Sequence, residues 1–430
     1  MSNYKNRIAI VEGFRTPIAK AGGKFNDLQA DALGSVIVKE LLSRSQIDKS
    51  EFDEVVVGNV ASPAHAPNIA KIIATRAGFD FNIPAFTVNR NCASGMEAIT
   101  SAANKIKAGE ANIILAAATE SMSNTPLLFS KHFQDFIMHF SHAKNAYERI
   151  KILSTLKFSD FRPVVALFKA LKDPTINMNM GQTAEVLARE FHISREAQDE
   201  YALMSHTRAS IARSSGVYSS EIIPVIYDDS KVLDYDDGVR EGQSITSLEK
   251  LRGLFAKEHA TVTAGNASQI SDGAAAVSLM SESEAKKRAF NVLGYLRDYS
   301  YVGVPAHRMG LGPVYATAKV LKKSGLKFSD FELIEMNEAF AAQVIANEMA
   351  FASKGFSSKY LGQNSAIGEI NRDILNVNGG AVAMGHPVGM SGMRIVIHLL
   401  KEMRLRSLST GLATLCVGGG QGAALILEVE

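Results

Sequence analysis

The chain has 430 residues, 46% of them hydrophobic and 21% charged, with a formal net charge of +2 and no tryptophan. That length accommodates two or three domains with large cores, and so balanced a charge excludes a nucleic-acid surface spread over the whole protein. The two cysteines, Cys92 and Cys416, exclude a disulfide framework and any Cys-x-x-Cys metal or redox site, and suit a reducing compartment.

Met1-Ser2-Asn3-Tyr4-Lys5 leads into an apolar run without the charged-then-apolar region of a secretory signal. No stretch of about eighteen apolar residues offers a membrane span. Arg7-Ile8-Ala9-Ile10-Val11 predicts a first strand, and Leu33, Val36, Ile37, Leu41 and Leu42 follow at helical spacing. Glu54-Val55-Val56-Val57 predicts another strand, ending in Gly58-Asn59. Then the β-prone Ala85-Phe86-Thr87-Val88 runs into Asn89-Arg90-Asn91-Cys92-Ala93-Ser94-Gly95-Met96. Beyond it Met96, Ile99, Ala103 and Ile106 have helical spacing, and Gly109 sits where a helix C-terminus wants it. Residues 112–118 form a continuous small-apolar run, suited to a strand buried on both faces. Strand, helix, strand in this rhythm is α/β architecture.

The rhythm breaks over residues 125–268. Between Lys131 and Lys172 eight Lys/Arg face three Asp/Glu, interleaved with Phe133, Phe136, Phe140, Phe158, Phe161 and Phe168. Phe133, Phe136, Ile137 and Phe140 are expected on one helical face, and Ile150, Leu153 and Leu156 on another. Such a pattern suits an interfacial helix on an anionic membrane, a partner-docking surface or a cap packed on the core.

The second half repeats the first. Ser45-Gln46-Ile47 through Val57 lines up with Ser324-Gly325-Leu326 through Met336, and Ser94-Gly95-Met96 with Ser391-Gly392-Met393. In that register the position of Cys92 becomes Gly389, which indicates a duplicated α/β unit.

Five segments can carry chemistry. Cys92 lies at a strand-to-helix turn, where helix N–H groups and the helix dipole should lower a thiol pKa; the alternative is a small buried apolar cysteine. Met336-Asn337-Glu338-Ala339-Phe340 places polar groups directly after the strand Leu333–Met336. Asn378-Gly379-Gly380 and the stretch Met384-Gly385-His386-Pro387-Val388-Gly389 hold His386 on a stiff glycine-rich loop before a helix over 393–403. Cys416-Val417-Gly418-Gly419-Gly420 is a strand running into a glycine turn, and its thiol, at an ordinary pKa of about 8.5, could shuttle protons. Residues 261–268, with Asp272-Gly273 beyond them, suggest a backbone wall for a narrow channel or a tight core turn. A cysteine nucleophile with a histidine base can attack a thioester carbonyl. A Cys–His hydrolase would need only one cysteine.

Cys92 in N-C-A-S-G, Asn337 in N-E-A-F-A, His386 in G-H-P-V-G-M-S-G and Cys416 in C-V-G-G-G-Q-G resemble, in order, the signature blocks of the thiolases, with V-T-A-G-N-A-S a fifth. The similarity spans essentially the whole chain. It implies an α/β thiolase fold, with duplicated halves in five layers, α-β-α-β-α. The first half would be 1–124, completed by 269–291, with an inserted loop domain over 125–268, and the second half 292–430. It implies an acyltransferase that cleaves 3-ketoacyl-CoA with CoA, Cys92 holding the acyl group. His386 would activate Cys92 and, with Asn337 through a water, polarise the thioester oxygen. Cys416 would act as acid and base, and the N–H groups of Cys92 and Gly418 as a second oxyanion hole. Coenzyme A would be a co-substrate across the loop domain, not a permanently bound cofactor, with Ser268 and Ala264 on its pantetheine and Arg240, Ser247 and Phe255 on its nucleotide; no metal is expected.

Ala66-Pro67-Asn68-Ile69-Ala70, the basic insertion and Tyr295-Leu296-Arg297-Asp298-Tyr299 resemble the β subunit of the fatty-acid oxidation trifunctional complex and its bacterial counterparts. That likeness implies fatty-acid β-oxidation in the cytoplasm, a homodimer or homotetramer, a hydratase/dehydrogenase α subunit and peripheral membrane contact through 131–172. The alternatives are an acetoacetyl-CoA thiolase and a non-catalytic CoA- or lipid-binding relative. Short-chain members carry histidine before Met-Gly where this chain has Asn179-Met180-Gly181, and the trifunctional group often has histidine at the position of Asn337.

Overall fold

Long β-branched and alanine-rich runs form buried strands, and amphipathic segments closed by glycine form the helices beside them. The computed structural model describes residues 7–430; the lead-in Met1–Lys5 lies outside the described residues. In chain order come β1 (Ile8–Arg15), α1 (Ala30–Arg44), β2 (Glu54–Gly58), α2 (Ile69–Ala77), β3 (Ala85–Val88), α3 (Ser94–Ala108) and β4 (Ile113–Ser121). There follow α4 (Lys131–His142), α5 (Ala146–Leu153), α6 (Met180–Glu190), α7 (Arg195–Ser214) and β5 (Ser271–Ser281). The second half adds β6 (Gly294–Gly303), α8 (Gly312–Ser324), β7 (Leu333–Met336), α9 (Ala341–Ala352), α10 (Ser391–Leu405), β8 (Thr410–Val417) and β9 (Gln421–Glu428).

Residues of 7–124 and 173–430 form one compact unit. Its strands run in the order β7-β8-β9-β6-β1-β5-β4-β2-β3, with the short strand Ala19–Lys20 beside β5. The duplication is visible in that order. β1-β5-β4-β2-β3 in the first half matches β6-β9-β8-β7 in the second, and Leu375, bridged in parallel to Ile334, stands where β3 would be. The halves join edge to edge where β1 pairs antiparallel with β6 (Ile8 opposite Leu296).

Three apolar cores give the expected layers. The first packs α1 and α2 on one face of the first-half sheet, the second packs α3 and α10 between the halves, and the third packs α8 and α9 against the second-half sheet. The middle layer depends on a reciprocal glycine contact. A Cβ on Gly95 would lie 2.6 Å from the Met393 nitrogen, and one on Gly392 would lie 3.0 Å from the Met96 nitrogen. Any side chain there would push α3 and α10 apart, and with them the two turns that begin those helices.

Residues 125–172 form a second compact unit, and 173–268 belong to the first. In the second unit Ser130 Oγ caps α4, accepting from the Phe133 N–H at 3.1 Å. Phe129, Phe133, Phe136 and Phe140 stack in succession, with centroids 4.8, 5.9 and 5.7 Å apart, and Phe161 joins Phe133 at 5.6 Å. Phe133, Phe136 and Phe140 are half-buried in this stack, while Phe129, Ile137 and Phe161 stay exposed. Met138, Tyr147, Ile150 and Leu153 are exposed, and Phe158 is 87% exposed. Leu156, expected on the Ile150 face, lies beyond the end of α5.

Candidate active site

The turn between β3 and α3 presents Cys92. Asn91 adopts φ of 46°, a left-handed conformation that asparagine tolerates better than most residues. Its side chain donates to the Gly418 carbonyl at 2.8 Å, tying this turn to the β8–β9 hairpin. Ser94 Oγ accepts from the Arg90 N–H and donates to the Asn91 carbonyl, closing the turn. The Cys92 sulfur receives the N–H groups of Gly418 and of Cys92 itself. Cys416, next to the last residue of β8, is close enough for a Cys92 charge to raise its pKa.

Here the structure corrects the expectation of an acidified thiol. Burial raises the Cys92 pKa, and the two N–H contacts offset it only in part. Cys416 is pushed far above the ordinary thiol range, first by burial and then by Cys92, so it does not sit near neutrality. Both sulfurs rest protonated. Cys92 therefore needs a base.

His386 supplies the right form. Its Nδ1 lies 2.6 Å from Ser391 Oγ, and Ser391 Oγ donates its single proton to the Pro387 carbonyl at 2.9 Å. The serine must then accept from Nδ1–H, which leaves Nε2 with the free lone pair. No group among the described residues hydrogen-bonds Nε2. Burial, and next the charge of Arg394, lower the imidazole pKa to about 4, so the ring is neutral.

Asn337 is wholly buried at the end of β7, and neither its Oδ1 nor its Nδ2 has a partner among the described residues. An amide kept dry at this cost is aimed at something other than the protein. Its neighbour Glu338 is the scaffold: it accepts from Tyr201, Ser205, Asn376 and the Val382 N–H at 2.7–3.2 Å. Residues 266–270 string the blocks together. Ser268 N–H donates to the Ala339 carbonyl at 3.0 Å, and His386 N–H to the Gln269 carbonyl at 2.9 Å.

Of the residues expected along coenzyme A, Ser268 thus lies beside the Asn337 and His386 blocks. Phe255 packs edge-on to Phe340 and lies over Gly181, where a Cβ would come 2.3 Å from its ring. The adjacent Met180 sulfur is 3.3 Å from where a Cβ of Gly418 would be, so Phe255, Met180 and Gly418 form one wall. Ala264, Arg240 and Ser247 are exposed, the last with its hydroxyl on Ser244; among the described residues no hydrogen bond or ion pair joins these three to Cys92. Asn179 is spent as the cap of α6, accepting from the Gln182 N–H at 2.9 Å. Sequence reasoning gave no role to Ser391, Asn91 or Glu338, although each lies within a quoted motif. Their signal was proximity to a functional residue, which does not say which atom faces which.

The family model described as "Thiolase, N-terminal domain" matches residues 8–283, and "Thiolase, C-terminal domain" matches 290–429. A 3-ketoacyl-CoA thiolase of Shewanella woodyi is 39% identical over 427 residues, covering 99% of this chain and 97% of its own. The crystal structure of the Bacillus anthracis acetyl-CoA acetyltransferase matches with a TM-score of 0.86 at 34% identity, covering 99% of this chain and 100% of that one. Human mitochondrial 3-ketoacyl-CoA thiolase in complex with CoA matches with a TM-score of 0.85 at 33% identity, covering 99% and 98%.

Proposed function

The chain belongs to the thiolase family and is an acyltransferase, and from that premise we propose that it is a 3-ketoacyl-CoA thiolase of fatty-acid β-oxidation. The observation that carries this reading is the hairpin of Cys416 and Gly418, tied to the Cys92 turn by the Asn91 side chain on the Gly418 carbonyl at 2.8 Å, which brings a second thiol beside the first. Acyl transfer to water would need one thiol. Transfer between two thiols, with a carbanion leaving, gives the second an office.

Neutral His386 takes the Cys92 proton on Nε2, and the thiolate attacks C3 of the 3-ketoacyl-CoA. The C2–C3 bond breaks, leaving the acyl group on Cys92 and an acetyl-CoA enolate. Cys416, whose raised pKa keeps it protonated, protonates the enolate carbon. Its thiolate then deprotonates incoming CoA, which attacks the acyl-cysteine and releases shortened acyl-CoA, and Cys92 recovers its proton from His386. Protonated His386 and Asn337, acting through a water, hold the enolate oxygen. The N–H groups of Cys92 and Gly418 hold the acyl oxyanion; such preorganised donors contribute roughly 3–4 kcal/mol each. Coenzyme A is a co-substrate along Ser268, Ala264 and Phe255, with Arg240 and Ser247 toward its nucleotide.

The acetoacetyl-CoA reading draws support from the similarity to acetyl-CoA acetyltransferases. Against it, Asn179 stands as a helix cap where short-chain members carry histidine. A chain-length series in the thiolysis assay separates the two. Activity extending to medium and long acyl chains is expected, and activity confined to acetoacetyl-CoA would overturn the preference.

The proposal extends to a homodimer or homotetramer, a hydratase/dehydrogenase α subunit as partner, and peripheral contact of 131–172 with a membrane. Its basic excess and exposed Ile150, Leu153 and Phe158 support the last. No helix among the described residues is long and apolar enough to cross a membrane.

A further inference from the structure

The duplication maps the active site onto a second place in the fold. Cys92 corresponds to Gly389. Carried along β4 and β8 from Ala117 and Thr414, which pair alike with β2 and β7, Cys416 corresponds to Thr119 and Val417 to Glu120. Likewise Asn337 and Glu338 correspond to Gly58 and Asn59. The first half therefore holds a counterpart of the site, and the Gly389 N–H is the counterpart of the Cys92 N–H.

That counterpart is occupied by the protein itself. Glu120 Oε2 accepts from the Gly389 N–H at 2.9 Å and from the Val60 N–H at 3.2 Å. Oε1 accepts from the Ala61 N–H at 3.0 Å and Asn59 Nδ2 at 3.3 Å. Glu120 is 1% exposed, and no lysine, arginine or histidine among the described residues pairs with it. Four N–H donors around a buried carboxylate without a cation make an anion hole filled from within. A Cβ at Gly389 would lie 2.8 Å from Glu120 Oε2 and 3.1 Å from the Thr119 carbonyl, so this turn cannot carry a nucleophile while Glu120 is in place.

We propose that Glu120 is a positioning residue of the thiolase reaction, its carboxylate clamping the Gly389 turn to the end of β2 and thereby fixing His386 and Ser391 opposite Cys92. The proposal rests on the thiolase reading above. Glu120 also bears on the nucleophile, for after burial its charge adds to the rise of the Cys92 thiol pKa. Burial pushes the Glu120 carboxyl up to about 7, the Ala61, Gly389 and Val60 N–H groups hold it down in part, and the charge of Asp272 on β5 adds to the rise.

The test uses the full chain with Glu120→Ala, which opens the hole, and Glu120→Gln, which turns one acceptor into an N–H₂ facing donors. In Glu120→Ala, kcat for thiolysis should fall about tenfold or more with KM nearly unchanged, and added formate or acetate should restore much of it. In Glu120→Gln, the pH midpoint for iodoacetamide labelling of the Cys92 peptide should move down, because a negative charge near the sulfur is gone. Parent-like kcat in both variants overturns the proposal, as does a loss that neither anion restores together with an unmoved midpoint. Should Glu120→Ala fail to fold, the labelling midpoint of Glu120→Gln decides. A parent enzyme without thiolysis activity would instead overturn the thiolase reading, while the labelling midpoint would still report on Glu120.

Discussion

The turns that begin α3 and α10 are copies of one device put to different uses. Each has a serine at the first helical position, and each serine donates to a carbonyl of its turn: Ser94 to Asn91, Ser391 to Pro387. The difference lies in what each accepts. Ser94 takes the backbone N–H of Arg90, a structural closure, whereas Ser391 takes the imidazole Nδ1 of His386 and so sets its tautomer. At the next point of comparison one turn offers the Cys92 sulfur and the other an unsubstituted Gly389 filled by Glu120. Duplication alone yields two half-sites. Specialisation of one turn for the nucleophile and the other for its base yields one whole site between them.

The largest loss is expected at the nucleophile. Cys92→Ala should reduce thiolysis by about 10³-fold or more and abolish acylation, with the fold intact by near-UV circular dichroism. Persistent turnover would show that the first turn is not the attacking one. Asn337→Ala should lower kcat by about 10²–10³-fold, since the amide has no structural partner to lose and acts on developing charge. A fall in melting temperature with kcat preserved would make it structural instead.

The two serines should differ in what their loss costs. Ser391→Ala should cost roughly tenfold in kcat by freeing the imidazole tautomer, whereas Ser94→Ala should cost about 1 kcal/mol of stability in a denaturant melt through a lost turn closure. Equal kinetic penalties would erase the distinction drawn between the turns.

A pH effect on stability follows from His386. Its pKa is lowered from 6.5 to about 4 on folding, so the neutral ring contributes stability above pH 6.5, and that contribution is lost as pH falls from there toward 4. In His386→Asn the drop in melting temperature across this window should be smaller than in the parent. The smallest catalytic effect is expected from deleting 131–172, which should leave acetoacetyl-CoA thiolysis within about twofold while removing flotation with anionic liposomes; unchanged flotation would count against membrane contact.

Much of this was legible in the sequence because strands and helices announce themselves by period. The apolar run 112–118, the Gly109 stop and the shared strings of the two halves placed the α/β frame and its duplication where the structure has them. The signature blocks marked Cys92, Asn337, His386 and Cys416, and the fold sets Cys92, Asn337 and Cys416 at strand ends or on the turns that follow them and His386 on the turn that begins α10. What was not legible was environment. The helix N-terminus at Cys92 argued for a low thiol pKa, yet the packing around the part-buried sulfur outweighs two N–H contacts, and no local pattern reveals how an opposite half will close on a turn. The tautomer of His386 depended on where a serine five residues away sends its one proton. Glu120 lay inside an ordinary strand, and its four donors come from segments distant in the chain.

The division of labour between the two turns predicts one acyl-enzyme, on Cys92. Incubating the parent with a 3-ketoacyl-CoA, quenching in acid and mapping peptides by mass spectrometry should place the acyl group on Cys92, and addition of CoA before the quench should remove it as shortened acyl-CoA. Acyl found on Cys416, or full turnover with no acyl on Cys92, would contradict the division of labour between the two turns.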